Sequence, residues 1–151
     1  MLIRQYQAGD HEAVRRLHVE ALQHAGTWIE GPWDEDLNAI ESIYLNSGGE
    51  FLVGEVGNRI VAMGALRRVT TETALVKRMR VLPAYQRRGF GQLILNSLEQ
   101  RAVELGYRTL ELDTTEQQIA AIAFYRRNGY VETGRRPFRQ FIEILFRKEL
   151  F

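Results

Sequence analysis

The chain has 151 residues, 45% of them hydrophobic, which is enough to build a core, and we expect a single domain over residues 1–151. It contains no cysteine, which excludes disulfides, thiolate metal sites and cysteine nucleophiles. Its formal net charge of +1 argues against a nucleic-acid partner. No apolar run approaches the ~18 residues of a membrane span and no signal-peptide pattern is present, so we expect a cytoplasmic protein with no membrane partner.

The N-terminal third of the chain predicts one strand and two helices. Alternating residues favour a strand over residues 1–5, and apolar residues at helical spacing follow Asp10, which is placed as an N-cap. Gly26 ends this helix, and the pair Gly48-Gly49 ends a second helix around residues 37–44.

The rest of the chain alternates between strand and helix patterns, with a hairpin turn at Gly57-Asn58 and a strand stopped by Pro83. In chain order the predicted elements are strands over 51–56, 60–66 and 74–82, a helix over 89–105, a strand over 109–113, a helix over 117–127, and strands over 130–133 and 141–148. The order β-α-α-β-β-β-α-β-α-β-β predicts a mixed α/β fold, with a central twisted sheet of six to seven strands flanked by about four helices.

The segment that joins the third predicted strand of this series to the next helix is the most informative one for function. It runs Gln86-Arg87-Arg88-Gly89-Phe90-Gly91-Gln92, a short basic loop that enters a helix at two glycines. A helix N-terminus has unpaired N–H groups and about half a positive charge, and glycines let a ligand approach the backbone. The segment therefore predicts a phosphate-binding loop. The segment is not a P-loop, because no lysine followed by Ser or Thr comes after the glycines. It also lacks the third glycine of a dinucleotide-binding fingerprint, since Ile94 stands at that position.

Two common kinds of catalytic site are missing from the sequence. The three histidines, His11, His18 and His24, all lie near the N-terminus, and none of the three serines stands in a G-x-S-x-G setting. A serine hydrolase triad and a histidine-rich metal site are therefore not expected, and no metal is implied.

Two motifs together resemble the GNAT superfamily of acyl-CoA-dependent N-acyltransferases. Gln86-Arg87-Arg88-Gly89-Phe90-Gly91 matches the pyrophosphate motif Q/R-x-x-G-x-G/A of that family at every fixed position. About thirty residues further on, Gln118-x-x-Ala121-x-x-Phe124-Tyr125 and Asn128-Gly129-Tyr130 are similar to N-x-x-A-x-x-F/L-Y-x-x-x-G-F/Y. The resemblance implies a GNAT-like sheet with a V-shaped gap between the strand that ends at Val81 and the strand over 109–113.

The resemblance also implies acetyl-CoA as cosubstrate. The pantetheine arm would lie along the strand that ends at Val81, with backbone contacts from Met79 and Val81, and backbone amides of the basic loop would hold the pyrophosphate. The cofactor-binding residues implied in this way are Met79, Val81, Gln86, Arg87, Arg88, Gly89, Gly91, Gln92, Gln118 and Tyr125.

Acyl transfer to an amine needs an acid for the departing thiolate and a base for the amine. Tyr125 matches the family's usual acid. Many members place the base on the central strand, where this chain has Leu75 and Lys77 instead, so Glu111 and Asp113 on the neighbouring strand are the candidate bases. Alternatively, the amine loses its proton to solvent before it binds.

Two side chains have alternative roles. Gln118 stands three residues after Thr115, and therefore either completes a capping box or contacts CoA. Lys77 is expected on the same strand face as Leu75 and Met79, where it is a candidate contact for a substrate carboxylate.

The charges are unevenly distributed along the chain. No Lys or Arg stands between Arg16 and Arg59, whereas the next segment, as far as Gln92, is basic. The acidic stretch includes Glu30, Asp34, Glu35 and Asp36, near Trp28 and Trp33. It predicts either a surface that attracts a cationic amine or an ordinary solvated helix start.

The function expected from these residues is transfer of acetyl from acetyl-CoA to a primary amine of a small molecule, by direct attack in a ternary complex. The alternatives are a protein or peptide N-acetyltransferase, and a CoA-binding sensor or interaction module with little catalysis. Family members are often dimers, so a homodimer is a further expectation.

Overall fold

Seven strands form one mixed sheet. The strands are β1 (Leu2–Gln5), β2 (Glu50–Val56), β3 (Arg59–Arg68), β4 (Thr73–Val81), β5 (Thr109–Thr115), β6 (Val131–Phe138) and β7 (Phe141–Glu149). They lie in the order β1-β2-β3-β4-β5-β7-β6, and all neighbours are antiparallel except β4 and β5. The structure is a computed structural model that describes residues 1–26, 28 and 32–151, and of residue 33 the backbone alone.

The helices are α1 (His11–Ala25), α2 (Ile40–Ile43), α3 (Phe90–Glu104) and α4 (Ile119–Arg127). Short 3₁₀ helices cover Ala8–Asp10, Pro32–Asn38, Leu45–Ser47 and Pro83–Tyr85. The predicted mixed α/β fold and its element order are confirmed. Within the part of the chain that the structure describes, no helix is long and apolar enough to cross a membrane.

Two predicted elements differ in extent from the observed ones. The second helix is a single α turn between two 3₁₀ segments, because the backbone of Ala39 (φ −144°, ψ 43°) leaves the helical region. β6 continues to Phe138, well past the predicted end at residue 133. Most of β6 is exposed, so its sequence lacks the apolar alternation that marks a strand, while β7 pairs with it as far as the hairpin at Phe141.

Helices cover both faces of the sheet at β3. A Cβ on Gly64 would lie 2.6 Å from Ile94 and 2.9 Å from Leu98, so this face of β3 packs directly on α3. The neighbouring Ala65 faces the opposite way and pairs with Phe51, whose ring packs on Tyr44 beyond α2. We call these the α3 face and the α1 face, since α1 also contacts β3 and β4.

A β-bulge in β4 breaks its alternation. Ala65 pairs with Lys77 and Met63 with Arg80, so Gly64 alone stands opposite both Arg78 and Met79, and Arg78 has φ +59°. Since paired residues share a face, Lys77 and Arg80 lie on the α1 face. Met79 reaches the α3 face, where its sulfur would be 2.6 Å from a Cβ on Gly64. The prediction that Lys77 and Met79 share a face is therefore wrong.

The parallel strands β4 and β5 separate after three residue pairs. They are paired from Thr73 opposite Thr109 to Leu75 opposite Glu111. Beyond these pairs β4 continues to Val81 and β5 to Thr115 without pairing to each other. The structure therefore has the V-shaped gap in the sheet that the resemblance implies.

Candidate functional site

A cavity of about 430 Å³ lies where β4 and β5 separate. Its lining comes from both faces of the sheet: Met79 and Tyr125 from the α3 face, and Lys77, Arg80 and Asp113 from the α1 face. The cavity thus runs through the sheet, and two molecules that approach from opposite faces can meet inside it.

Tyr125 enters the cavity from α4. Thr114 of β5 donates a 3.3 Å hydrogen bond to the side chain of Gln118, which connects β5 to the start of α4. The ring of Tyr125 packs against Tyr130 and Phe146, with centroids 5.7 and 6.5 Å away. Burial raises the pKa of Tyr125 to about 12, although the nearby charge of Arg80 opposes the shift. Tyr125 is therefore a neutral hydrogen-bond donor at neutral pH.

The proposed capping box at the start of α4 is not formed. α4 begins at Ile119, so Gln118 itself occupies the N-cap position, and its side chain makes no capping hydrogen bond. The hydroxyl of Thr115 is buried without a partner in the described part of the chain. Gln118 does line the cavity, so the alternative, a contact to CoA, stays a prediction.

Of the two candidate bases, Asp113 lines the cavity and Glu111 does not. A second carboxylate joins Asp113 there: Glu143 on β7, which pairs with Thr115 and so shares the face of Asp113. Arg136 donates a 2.9 Å hydrogen bond to Glu143. Burial raises the pKa of Glu143 and the Asp113 carboxyl adds to the shift, which outweighs the effect of Arg136.

Glu143 was not among the candidates predicted from the sequence. The signal was an acidic residue between Ile142 and Ile144, in a strand whose apolar residues predict burial. Its register against β5, on which the role depends, is not readable from the sequence alone.

The basic loop has the backbone geometry of an anion site. Gly89 is the N-cap of α3 with φ +81°, and no side chain of the described residues caps the helix. Arg87 also has a positive φ of +63°. In the part of the chain that the structure describes, the amides of the first turn of α3 therefore have neither an intrahelical nor a side-chain partner. Gln86 ties the loop to β4 by a 3.2 Å hydrogen bond to the carbonyl of Val81.

Side-chain contacts connect the basic loop and the start of α3 to neighbouring elements. Gln92, in the first turn of α3, donates a 2.6 Å hydrogen bond to Asn128 just after α4. The guanidinium of Arg88 lies over the ring of Tyr85, 5.1 Å from its centroid. Arg88 is thus held on an aromatic surface beside the loop. Gly91 stands close to β4, since a Cβ there would be 3.8 Å from Val81.

The acidic stretch makes internal ion pairs. Arg78 donates hydrogen bonds to both carboxylate oxygens of Asp36 (2.9 and 2.5 Å) and to Asp34 (3.1 Å). Tyr44 also donates to Asp36. These partners hold the pKa of Asp36 below its usual range, although burial acts in the opposite direction. The two carboxylates are therefore occupied, which does not fit the predicted attraction of a cationic amine.

His18 of α1 adjoins this network. Its Nε2 lies 3.1 Å from Asp34, yet neither ring nitrogen has a well-aligned hydrogen bond among the described residues. Burial lowers the pKa of His18 despite the attraction of Asp34, so we take the ring as neutral and Arg78 as the counter-charge of Asp34. Glu30 of the predicted acidic surface, and the side chain of the neighbouring Trp33, lie outside the described residues.

No group of three or more potential ligand side chains in the described ranges, 1–26, 28 and 32–151, is placed to hold a metal ion.

Solved structures share this fold. A GNAT-family acetyltransferase of Staphylococcus aureus Mu50 superposes with a TM-score of 0.91 at 24% identity, over 99% of both chains. The PaiA N-acetyltransferase of Thermoplasma acidophilum, crystallised in complex with coenzyme A, superposes with a TM-score of 0.80 at 17% identity, over 98% of both chains. At these identities the likeness concerns the fold alone.

Curated relatives are similar in sequence. N-acetyltransferase 8F1 of Rattus norvegicus is 29% identical over 118 residues, in an alignment that covers 70% of this chain and 53% of that protein. The [ribosomal protein bS18]-alanine N-acetyltransferase of Escherichia coli K12 is 29% identical over 116 residues, 76% of this chain and 72% of that protein. The chain thus spans about half the length of the first relative.

The family model described as "Acetyltransferase (GNAT) family" matches residues 11–130. The matched region runs from the start of α1 past the end of α4, and so contains the basic loop, both diverging strands and Tyr125. Because this match covers well over half of the sequence, the chain belongs to the GNAT acetyltransferase family.

Proposed function

We propose that the protein transfers the acetyl group of acetyl-CoA to a primary amine of a small molecule, by direct attack in a ternary complex. The observation that carries the proposal is the cavity through the sheet at the gap between β4 and β5. Acetyl-CoA would enter it from the α3 face and the amine from the α1 face, so that neither has to leave before the other binds.

The residues beside the gap fit acetyl-CoA. The edge of β4 that faces the gap has backbone groups free of β5 from Val76 to Val81, so the pantetheine arm can pair there with Met79 and Val81. The uncapped amides from Arg87 to Gln92 would hold the pyrophosphate, and Gln118 would contact the arm from α4. Bound acetyl-CoA supplies an activated acyl carbon, whose bond to sulfur breaks as the bond to the amine nitrogen forms.

Tyr125 is the proposed acid. Its pKa of about 12 lies some 3.5 units above the reference value of about 8.5 for a thiol, so complete proton transfer to a free thiolate is uphill by ~5 kcal/mol. A hydrogen bond from Tyr125 Oη that strengthens as negative charge develops on sulfur avoids this cost. We therefore assign Tyr125 the role of a donor that keeps its proton until the thiolate has left the site.

Asp113 and Glu143 are the proposed bases. The amine nitrogen loses one proton as it bonds to carbon, and a carboxylate on the α1 face can accept it. Asp113 is exposed to the cavity, whereas Glu143 is buried with Arg136 as its partner. The raised pKa of Glu143 suits proton transfer near neutral pH better than an ordinary carboxylate.

A protein or peptide acceptor is the second candidate. The name of the Escherichia coli relative, an alanine N-acetyltransferase for ribosomal protein bS18, favours it. The sensor alternative rested on the missing carboxylate of the central strand, and the carboxylates of Asp113 and Glu143 remove that reason.

Thiol release from acetyl-CoA, measured over primary amines and peptides with free N-termini, tests the proposal. We expect turnover with amines, and a ~10²-fold lower kcat/KM in Glu143→Gln. Glu111→Gln is the matched control, because this carboxylate lies outside the cavity, and it should retain wild-type turnover. Binding of acetyl-CoA by calorimetry without thiol release for any amine or peptide would refute catalysis and favour the sensor.

A further inference from the structure

Two cations, Lys77 and Arg80, line the cavity on the α1 face and form no ion pair with the described residues. Arg78, between them in the sequence, is paired with Asp34 and Asp36, and Arg136 is paired with Glu143. By contrast, no carboxylate of the described residues lies within ion-pair distance of Lys77 or Arg80.

Arg80 is also short of hydrogen-bond acceptors. One terminal nitrogen donates a 2.8 Å hydrogen bond to the carbonyl of Met79. Its Nε is fully buried, and none of the residues that the structure describes accepts a hydrogen bond from it. A guanidinium has five N–H donors, and only the bond to Met79 is made with the described residues, so Arg80, which lines the cavity, has donors without a partner.

Keeping both cations there is unfavourable without an anion. Burial lowers the pKa of Lys77, and Arg78 lowers it further. The same two causes lower the pKa of Arg80 to about 10. Asp36 and Asp113 act in the opposite direction on Lys77, and Asp34 and Asp113 on Arg80, but none of these carboxylates is within ion-pair distance of either cation. Buried charges normally occur with a partner, so a negative group supplied from outside the chain would complete this site.

The pyrophosphate of CoA does not fill this role. None of the residues from Gln86 to Gln92 lines the cavity, so the basic loop and the two cations are separate sites. The remaining ligand of the cavity is the acceptor, on whose side of the sheet both cations lie.

The opposite wall of the cavity carries two carboxylates, Asp113 and Glu143, beside the cations Arg136 and Arg139. Arg136 is paired with Glu143, and Asp113 forms no ion pair among the described residues. A molecule with an amine and a carboxylate a few bonds apart would satisfy both walls at once. We infer that the acceptor is a primary amine that also carries a carboxylate, and that Lys77 and Arg80 bind this carboxylate while the amine faces Asp113 and Glu143. This inference rests on the proposed function and narrows its substrate class.

The residue types suit this ligand. The planar guanidinium of Arg80 can donate two parallel hydrogen bonds to a carboxylate, and the ammonium of Lys77 adds a mobile point charge. Neither contact changes as the acyl group moves, so the two residues set affinity and orientation rather than the chemical step.

Matched acceptor pairs test the inference by thiol release: free amino acids against their carboxamides, and β-alanine against propylamine. Wild type should prefer the acid of each pair by about 10- to 100-fold in kcat/KM. Lys77→Met and Arg80→Lys should remove most of this preference through KM, with less than a threefold change for the neutral member. Arg16→Gln, which removes an exposed charge of α1 outside the cavity, should keep the preference.

A second set of acceptors compares peptides with Asp at position two against peptides with Asn there. This comparison shows whether the site also accepts a side-chain carboxylate, rather than only the carboxylate of a free amino acid. Equal losses for acid and neutral acceptors in both variants would overturn the inference, since they indicate a role at the leaving thiolate or in folding. Wild-type preference for the neutral members would overturn it as well.

A readout without turnover separates this inference from the proposed function. Calorimetry should show that the CoA complex binds an N-acetyl amino acid at least tenfold more tightly than its carboxamide, and that Lys77→Met removes the difference. Equal binding of the two would refute the carboxylate site, whatever the turnover. Absence of thiol release alongside selective binding would refute only the proposed catalysis.

Discussion

Replacing Tyr125 by Phe removes one hydroxyl from the cavity and leaves the packing of the ring against Tyr130 and Phe146. No side chain of the described residues hydrogen-bonds that hydroxyl, so its loss leaves no buried group without a partner and folding should be unaffected. If the hydroxyl donates to a developing thiolate, the loss is that of a hydrogen bond to a charged group, ~1.5–3 kcal/mol. At 1.4 kcal/mol per factor of ten, kcat should fall about 10- to 100-fold.

The measurement is kcat from thiol release together with the Kd of CoA by calorimetry, which should change less than twofold. Tyr130→Phe is the matched control, since it removes a hydroxyl from a ring that packs against Tyr125. The Tyr130 hydroxyl donates a 2.7 Å hydrogen bond to Glu99 and lies outside the cavity. This control should lose ~1.5–3 kcal/mol of stability, because its acceptor is a carboxylate, and no turnover. Turnover of Tyr125→Phe within twofold of wild type would show that the reasoning about the acid is wrong.

Three further predictions concern the loop, the sheet and the buried histidine. Gly89→Val forces a β-branched residue to φ +81°, which costs ~1–2 kcal/mol or more. It should therefore weaken CoA binding, measured by calorimetry, more than Arg87→Ala does. The reverse order of the two effects would contradict the backbone anion site. Gly64→Ala should cost ~1–3 kcal/mol in urea unfolding, because its Cβ would meet Ile94 and Met79 at 2.6 Å, whereas Gly9→Ala, with nothing within 4 Å, should not destabilise. His18 has its pKa lowered in the folded state, so the unfolded chain takes up the proton first and stability should fall by up to about 1.4 kcal/mol per pH unit as pH drops below about 6.5. His18→Gln should flatten that slope, and an unchanged slope would show that His18 is not the group responsible.

Local signals predicted most of the fold. Gly26 and Gly48 end helical segments at positive φ, as expected, because only glycine adopts that conformation without strain. Gly106 and Gly129 do the same after α3 and α4. The strands β2 and β3 were found for a similar reason: apolar β-branched residues flank a two-residue turn at Gly57-Asn58. The extents of the second helix and of β6 were predicted wrongly, because contacts distant in sequence determine them.

The residues of the candidate site that belong to a short sequence motif could be predicted from the sequence. Those that depend on the register between distant strands could not. The loop from Gln86 to Gln92 and the position of Tyr125 follow from short local patterns. Glu143 reaches the cavity only because β7 pairs with β5 so that Thr115 stands opposite it, and this pairing spans 28 residues of sequence. Asp113 and Glu111 look equivalent in the sequence, and the point at which β4 and β5 separate distinguishes them.

The bulge at Arg78 decides which cations reach the acceptor side. In a regular strand Lys77 and Met79 would share the α1 face, and Arg78 and Arg80 would point at the apolar residues of α3, where a charge has no partner. Because two residues of β4 stand opposite Gly64, each side chain after Lys77 lies on the opposite face from the one that regular alternation would give it. Met79 then fills the space beside α3, and Arg78 neutralises the acidic stretch from the α1 face. Arg80 joins Lys77 in the cavity, so one inserted residue both buries an apolar side chain and supplies the charge that we assign to the acceptor's carboxylate.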